Sequence, residues 1–189
     1  MLTTIASYAQ KWHGEVEVSG NMSTYHGNFE TDPKLGYRGS VKLFRELTPK
    51  LKLGAGLSWA ELNAEGEVSF GFMQAEMDYN RREIGVPITV RLEPFKKPFF
   101  VELEAEAVYT QSMTIEGYDK NSGEPFPIEI EDGTVKEWIG KTSVGVGYQF
   151  YKFLAAKASV FSSVGSVYNA GGTNYWGGSV SLIWLVARN

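Results

Sequence analysis

Residues 99–110 read FFVELEAEAVYT. Glu102, Glu104 and Glu106 stand at every second position. Val101, Leu103, Ala105 and Ala107 fill the places between, with Phe99 and Tyr109 near the ends. Side chains alternate across a strand with period two, so one face of this segment is a ladder of carboxylates and the other is apolar. A soluble β-domain would turn the carboxylates to water. A membrane barrel would turn them inward.

Seven more segments alternate in the same way, near 11–22, 35–46, 51–62, 80–93, 136–149, 153–164 and 174–187. Each reaches the ~9–11 residues of a tilted membrane-crossing strand and exceeds the ~5–6 of an ordinary soluble one. Thr48-Pro49-Lys50, Pro94–Pro98 and Tyr151-Lys152 make short connections. Residues 23–34, 63–79, 111–135 and 165–173 make long ones, rich in Gly, Asn, Ser, Asp and Glu. Short and long alternate strictly, with both termini on the short side, as in transmembrane β-barrels.

Each strand can then be divided by face. Tyr37, Trp59, Tyr109, Trp138 and Trp176 fall at the long-loop ends of the apolar faces. Trp12, Phe99, Tyr148 and Trp184 fall at the short-turn ends. Two aromatic belts with aliphatics between them match two membrane interfaces. The opposite faces carry Glu15, Glu17, Glu102, Glu104 and Glu106 against Arg38, Lys42, Lys52, Arg91, Lys141 and Lys157, separated by Gly and Ser.

Counting from the turns sets Arg91 opposite Glu102 and Glu15 opposite Lys42, with Arg38 in diagonal reach of Glu17. Opposite charges across strands are stabilising. A solvated face needs neither near-neutrality nor so many small residues. The lumen of an eight-stranded barrel needs both, because it is only wide enough for side chains to fill and because desolvated charges need partners. The expected fold is all-β, an eight-stranded antiparallel up-and-down transmembrane β-barrel. Phe44, Phe100, Phe161, Ile183 and Leu185 break the pattern on the polar face, and Arg82 breaks it on the apolar face. Pro87 lies mid-strand, where the missing N–H marks an expected bulge.

The 189 residues suit one domain, expected over 10–189. A formal charge of −4 leaves no basic footprint for nucleic acid. Cysteine is absent, which excludes disulfides and thiolate metal sites. No apolar run approaches the ~20 residues of a spanning helix. Residues 1–9 read as a signal-peptide remnant, with small residues at Ser7 and Ala9 before a cleavage point at Gln10, or as a non-native tail.

The stretch 83–109, EIGVPITVRLEPFKKPFFVELEAEAVY, resembles the outer-membrane β-barrel family common in Bacteroidetes. That family pairs an Ile-x-Val/Ile-Pro strand with a Lys/Pro turn and a small-residue strand ending in Tyr. The resemblance implies a bacterial outer-membrane location with periplasmic termini. The chain departs from the family at its end, Val186-Ala187-Arg188-Asn189, where an aromatic residue is common.

Little in the sequence points to chemistry. His13 and His26 lack a second ligand at hairpin or helical spacing, so neither a metal site nor a cofactor is expected. No Ser–His–acid spacing stands out. Two long connections hold contact candidates: Phe70, Phe72 and Met73 in 66–79, and Tyr118 and Phe126 in the acidic 111–135. The latter is a solvated hairpin, a surface for a partner, or a divalent-cation site.

The expected role is non-catalytic: a barrel with a plugged, charge-paired interior. Its partners would be outer-membrane lipid and other outer-membrane or periplasmic proteins, met through its loops. A small channel, a barrel-type lipid-modifying enzyme and a soluble lipocalin-like carrier are the rivals.

Overall fold

The alternation of residues 99–110 extends through most of the chain, and no helix is present among the described residues. The computed structural model describes residues 11–27, 31–70, 73–94, 98–120, 122–128 and 134–188. The expected export tail lies outside them. The strands are β1 (Trp12–Gly27), β2 (Asp32–Thr48), β3 (Leu51–Phe70), β4 (Met73–Leu92), β5 (Phe99–Asp119), β6 (Pro125–Pro127), β7 (Trp138–Tyr151), β8 (Leu154–Val164) and β9 (Thr173–Arg188).

Neighbours pair antiparallel in the order β4-β3-β2-β1-β9-β8-β7-β5, and β4 pairs with β5 to close the ring. Eight long strands make the barrel. The three-residue β6 is added to the far end of β5, where Gly117 faces Phe126.

The outer wall of the ring is apolar. Leu57, Val86, Leu103, Val144 and Val180 lie exposed on it, while Glu15, Glu17, Glu102, Glu104 and Glu106 are buried inside. Greasy residues outside and ionic ones inside define a transmembrane β-barrel.

Where the strands pass the loop-end belt, this polarity reverses. On β3 the outward residues run Leu53, Ala55, Leu57, Trp59, then Glu61, Asn63, Glu65 and Glu67. The inward ones run Lys52, Gly54, Gly56, Ser58, then Ala60, Leu62 and Ala64. β4 switches in register with it. Ile84 pairs with Trp59 inside the apolar band, and Arg82 pairs with Glu61 just above. The band from Leu51 to Trp59 spans nine residues, the length of one tilted crossing.

Above the switch, the barrel is built as a soluble protein is. Tyr25, Leu62, Ala64, Tyr79, Val108, Ile139, Val167 and Tyr175 form a buried apolar cluster. Met77, Met113, Ile115, Phe161 and Tyr168 pack on it. Outside, Glu61–Arg82 and Asn63–Asn80 face water.

Two expectations are corrected here. Residues 23–27, 32–34, 63–70, 73–79 and 111–119, read as loop, are strand: β1 runs to Gly27, β2 starts at Asp32, β3 runs to Phe70, β4 starts at Met73 and β5 runs to Asp119. The reason is that apolar cover for the inner face persists after lipid ends, so the ladder continues. Pro87 shifts no register either. The β3–β4 pairs step equally from Ala55–Ile88 to Ser58–Gly85 past it. The irregularity of β4 against β5 lies at Arg82/Glu83 instead. Pro87 is buried on the lumen side, between Gly85 and Thr89.

Candidate functional site

The lumen's inward residues come from every second position of the strands, so their heights are set by register. At the turn end, Phe44, Phe100 and Ile183 are buried, which accounts for three of the residues that broke the polar pattern. Phe44 lies over its cross-strand partner Gly54, and Phe100 over Gly147. A Cβ on Gly147 would sit 2.0 Å from the Phe100 ring. Glycine is what admits each ring, and the ring in turn covers the exposed glycine backbone.

Between these rings sits Arg91, 4.5 Å from the Phe44 centroid and 4.4 Å from that of Phe100. Its Nη1 and Nη2 donate to Glu15 Oε1 and Oε2 at 2.5 and 2.6 Å, and its Nε donates to Glu102 Oε1 at 2.7 Å. From Glu102 the contacts continue. Lys157 Nζ donates to Glu102 Oε2 at 2.7 Å and to Glu17 Oε2 at 3.0 Å. Lys42 Nζ donates to Glu17 at 3.1 Å and to Glu104 at 2.5 Å. Arg38 Nη2 donates to Glu104 at 2.7 Å and to Glu106 at 3.3 Å. Lys141 lies 2.7 Å from Glu106 and 3.6 Å from Glu83. Arg81 Nε closes the chain 2.9 Å from Glu83.

The twelve groups therefore form one chain of alternating sign: Glu15, Arg91, Glu102, Lys157, Glu17, Lys42, Glu104, Arg38, Glu106, Lys141, Glu83, Arg81. Thr89 and Ser58 donate to Glu104 and Glu106, and Tyr175 donates to Glu83 at 3.1 Å. Such burial is tolerable only with every charge matched.

The structure brings ten of the eleven lumen candidates from the sequence into this chain. Lys52 stands apart, paired with Glu93 at the turn-end mouth. Arg81 and Glu83 were not among the candidates, although Glu83 shares the strand parity of Thr89 and Arg91. Arg91 pairs with Glu102, the residue opposite it in register. Glu15 is opposite Lys42 but pairs with Arg91, and Arg38 reaches Glu104 and Glu106 rather than Glu17. The interior of an eight-stranded barrel is filled by side chains from opposing walls, so a long Arg or Lys meets carboxylates on strands other than its neighbour.

A void of about 20 Å³ remains beside Arg38, Glu104, Lys141 and Phe161, little more than one water's space. At the turn-end mouth a cavity of about 140 Å³ opens between Trp12, Phe100, Ile183 and Leu185.

On the outer wall, Tyr37, Trp59, Tyr109, Trp138 and Trp176 are exposed at one level, and Trp12, Phe99, Tyr148 and Trp184 at the other. Tyr109 packs on Trp138 at 5.2 Å and Phe99 on Tyr148 at 4.9 Å. Phe150, Tyr151 and Phe153 extend the turn-end level.

Of the contact candidates, Tyr118 is half-buried and donates to Glu116 at 2.8 Å. Phe126 is half-buried over Gly117. Phe72 and the side chains of Phe70 and Met73 lie outside the described residues. Lys34 bridges Asp78 and Glu65 at 2.5 and 2.7 Å on the outer face of the cap. Donating to Asp78 first and to Glu65 second holds its ammonium above the usual lysine range.

This geometry defines the class: an eight-stranded transmembrane β-barrel with an ion-paired lumen and an apolar-cored cap. Among solved structures, the chain is similar to Neisserial surface protein A, with TM-score 0.55 and 9% identity over 92% of this chain and 97% of that one. Two weaker likenesses are Ail of Yersinia pestis, at TM-score 0.46 with 9% identity over 90% and 97%, and the N-terminal β-barrel domain of Pseudomonas aeruginosa OprF, at 0.44 with 12% over 91% and 97%. No protein-family profile and no curated protein sequence matches the chain.

Proposed function

We propose that this protein is a non-catalytic barrel of a bacterial outer membrane that works through its cap. The termini lie in the periplasm, and the β3–β4–β5 extension is a contact surface for another protein. The carrying observation is the reversal of polarity at Trp59–Glu61, which makes the cap a rigid, water-facing extension of the barrel rather than a set of loose loops. Tyr118, Phe126, Phe70, Phe72 and Met73 are its contact candidates. The resemblance of residues 83–109 to the Bacteroidetes barrels supports the location. The two aromatic levels, from Trp12 to Trp184 and from Tyr37 to Trp176, would anchor the barrel at the two interfaces.

A photo-cross-linking side chain placed at Thr114, on the outer face of β5 in the cap, is expected to capture a discrete protein in intact cells. The same probe at lipid-facing Val86 should not. Capture from neither position would remove the contact role.

A channel is disfavoured by the ion-paired lumen and its one-water void. Purified barrel in planar bilayers is expected to give no steady conductance. A sustained large conductance would mean that the lumen opens.

A further inference from the structure

The charges outside the lumen are sorted by end. Among the described residues, the cap end carries ten carboxylates against Lys34, Arg82, Lys120 and Lys136. The turn end carries Lys11, Arg45, Lys50, Lys52 and Lys152 against Glu46 and Glu93. Lys52 and Glu93 neutralise each other, which leaves Lys11, Arg45, Lys50 and Lys152 against Glu46, with Lys11 and Lys152 also bordering the mouth cavity.

Their placement follows the rim. Lys50 sits in the β2–β3 turn and Lys152 in the β7–β8 turn, and Lys11 immediately precedes β1. Lys96 and Lys97 lie outside the described residues. Each described cation adjoins an outward apolar group. Tyr151 and Phe153 flank Lys152 at 62% and 58% exposure, and exposed Leu47 stands before Lys50. Trp12 follows Lys11 and lies under the Arg45 guanidinium at 5.9 Å.

An aromatic level in the acyl region with amines just beyond it is the arrangement that lets lysines snorkel to phosphate depth. A protein partner would take one sector of the rim. A leaflet touches all of it.

We infer that the turn-end rim is a binding surface for anionic phospholipid head groups in the leaflet on that side. This rests on the membrane reading above. Each cation gains from the negative surface by an amount that salt reduces.

The test uses purified barrel reconstituted in phosphatidylcholine vesicles with a minority of phosphatidylglycerol, either lipid being brominated in turn. Tryptophan quenching reports which lipid adjoins the barrel. Brominated phosphatidylglycerol is expected to quench beyond its mole fraction at low salt, by a factor of roughly three to ten. The excess should disappear at high salt and in the Lys11→Gln, Lys50→Gln, Lys152→Gln variant. The wild-type salt response stands even if that variant fails to fold.

Quenching in proportion to mole fraction, unchanged by salt, overturns the inference while leaving the membrane reading intact. Failure to insert into either vesicle overturns both. Loss of a bound acidic protein from the variant, with lipid preference unchanged, assigns the rim to a protein instead.

Discussion

Replacing Arg91 with Met is expected to destabilise the barrel by about 3–5 kcal/mol, the usual cost of removing one partner from a buried ion pair. The guanidinium holds both oxygens of Glu15 and one of Glu102, and it fills the gap between the Phe44 and Phe100 rings. Methionine fills much of the volume but leaves Glu15 with His13 alone at 3.0 Å. Glu102 keeps Lys157. Adding Glu15→Gln to Arg91→Met should therefore recover a substantial part of the loss. Urea titration of the single and double variants in lipid vesicles measures this coupling. Strict additivity would show that Glu15 and Arg91 do not depend on each other, and the alternating chain would have no energetic reality at that end.

The second large effect tests the outer wall. Leu103 is 50% exposed and pairs with Val90 and Val144 near the middle of the apolar band. A leucine so exposed in a soluble protein tolerates arginine within about 0.5 kcal/mol. In lipid, Leu103→Arg is expected to cost about 2–4 kcal/mol. Thr114→Arg is the control, because Thr114 is exposed on the outer face of the same strand, past the reversal. It should change stability by no more than about 0.5 kcal/mol. Equal costs at the two sites would contradict a membrane boundary between them.

Residues 99–110 alone fit a solvated strand as well; the barrel became legible when eight such segments, two aromatic belts and the cations Arg38, Lys42, Arg91, Lys141 and Lys157 on the other polar faces were read together with Glu102, Glu104 and Glu106. The short and long connections then gave the up-and-down order. Less legible was the cap. Its strands keep their parity, with Ala60, Leu62 and Ala64 on the same side as Gly54, Gly56 and Ser58, but the chemistry of the two sides is exchanged. A reading that equates the end of a pattern with the end of a strand stops at residue 62. The unbroken parity of Glu61, Asn63, Glu65 and Glu67 was the available signal.

The same parity, followed back from Arg91 through Thr89, Pro87 and Gly85, reaches Glu83 and Arg81. The ion partners were not legible in the same way. Register fixes neighbours along the wall, as for Arg91 and Glu102, whereas the Arg38–Glu104 and Arg91–Glu15 contacts depend on lumen width and strand tilt.

The exchange of chemistry at Trp59–Glu61 also constrains how the molecule can be assembled. For a chain delivered from the side of its termini, the segments carrying Glu61, Asn63, Asp78 and Arg82 must traverse the hydrocarbon before their outward polar surface exists. A finished cap would have to drag that surface through oil. For delivery from that side, the water-facing half is completed last, on the far side.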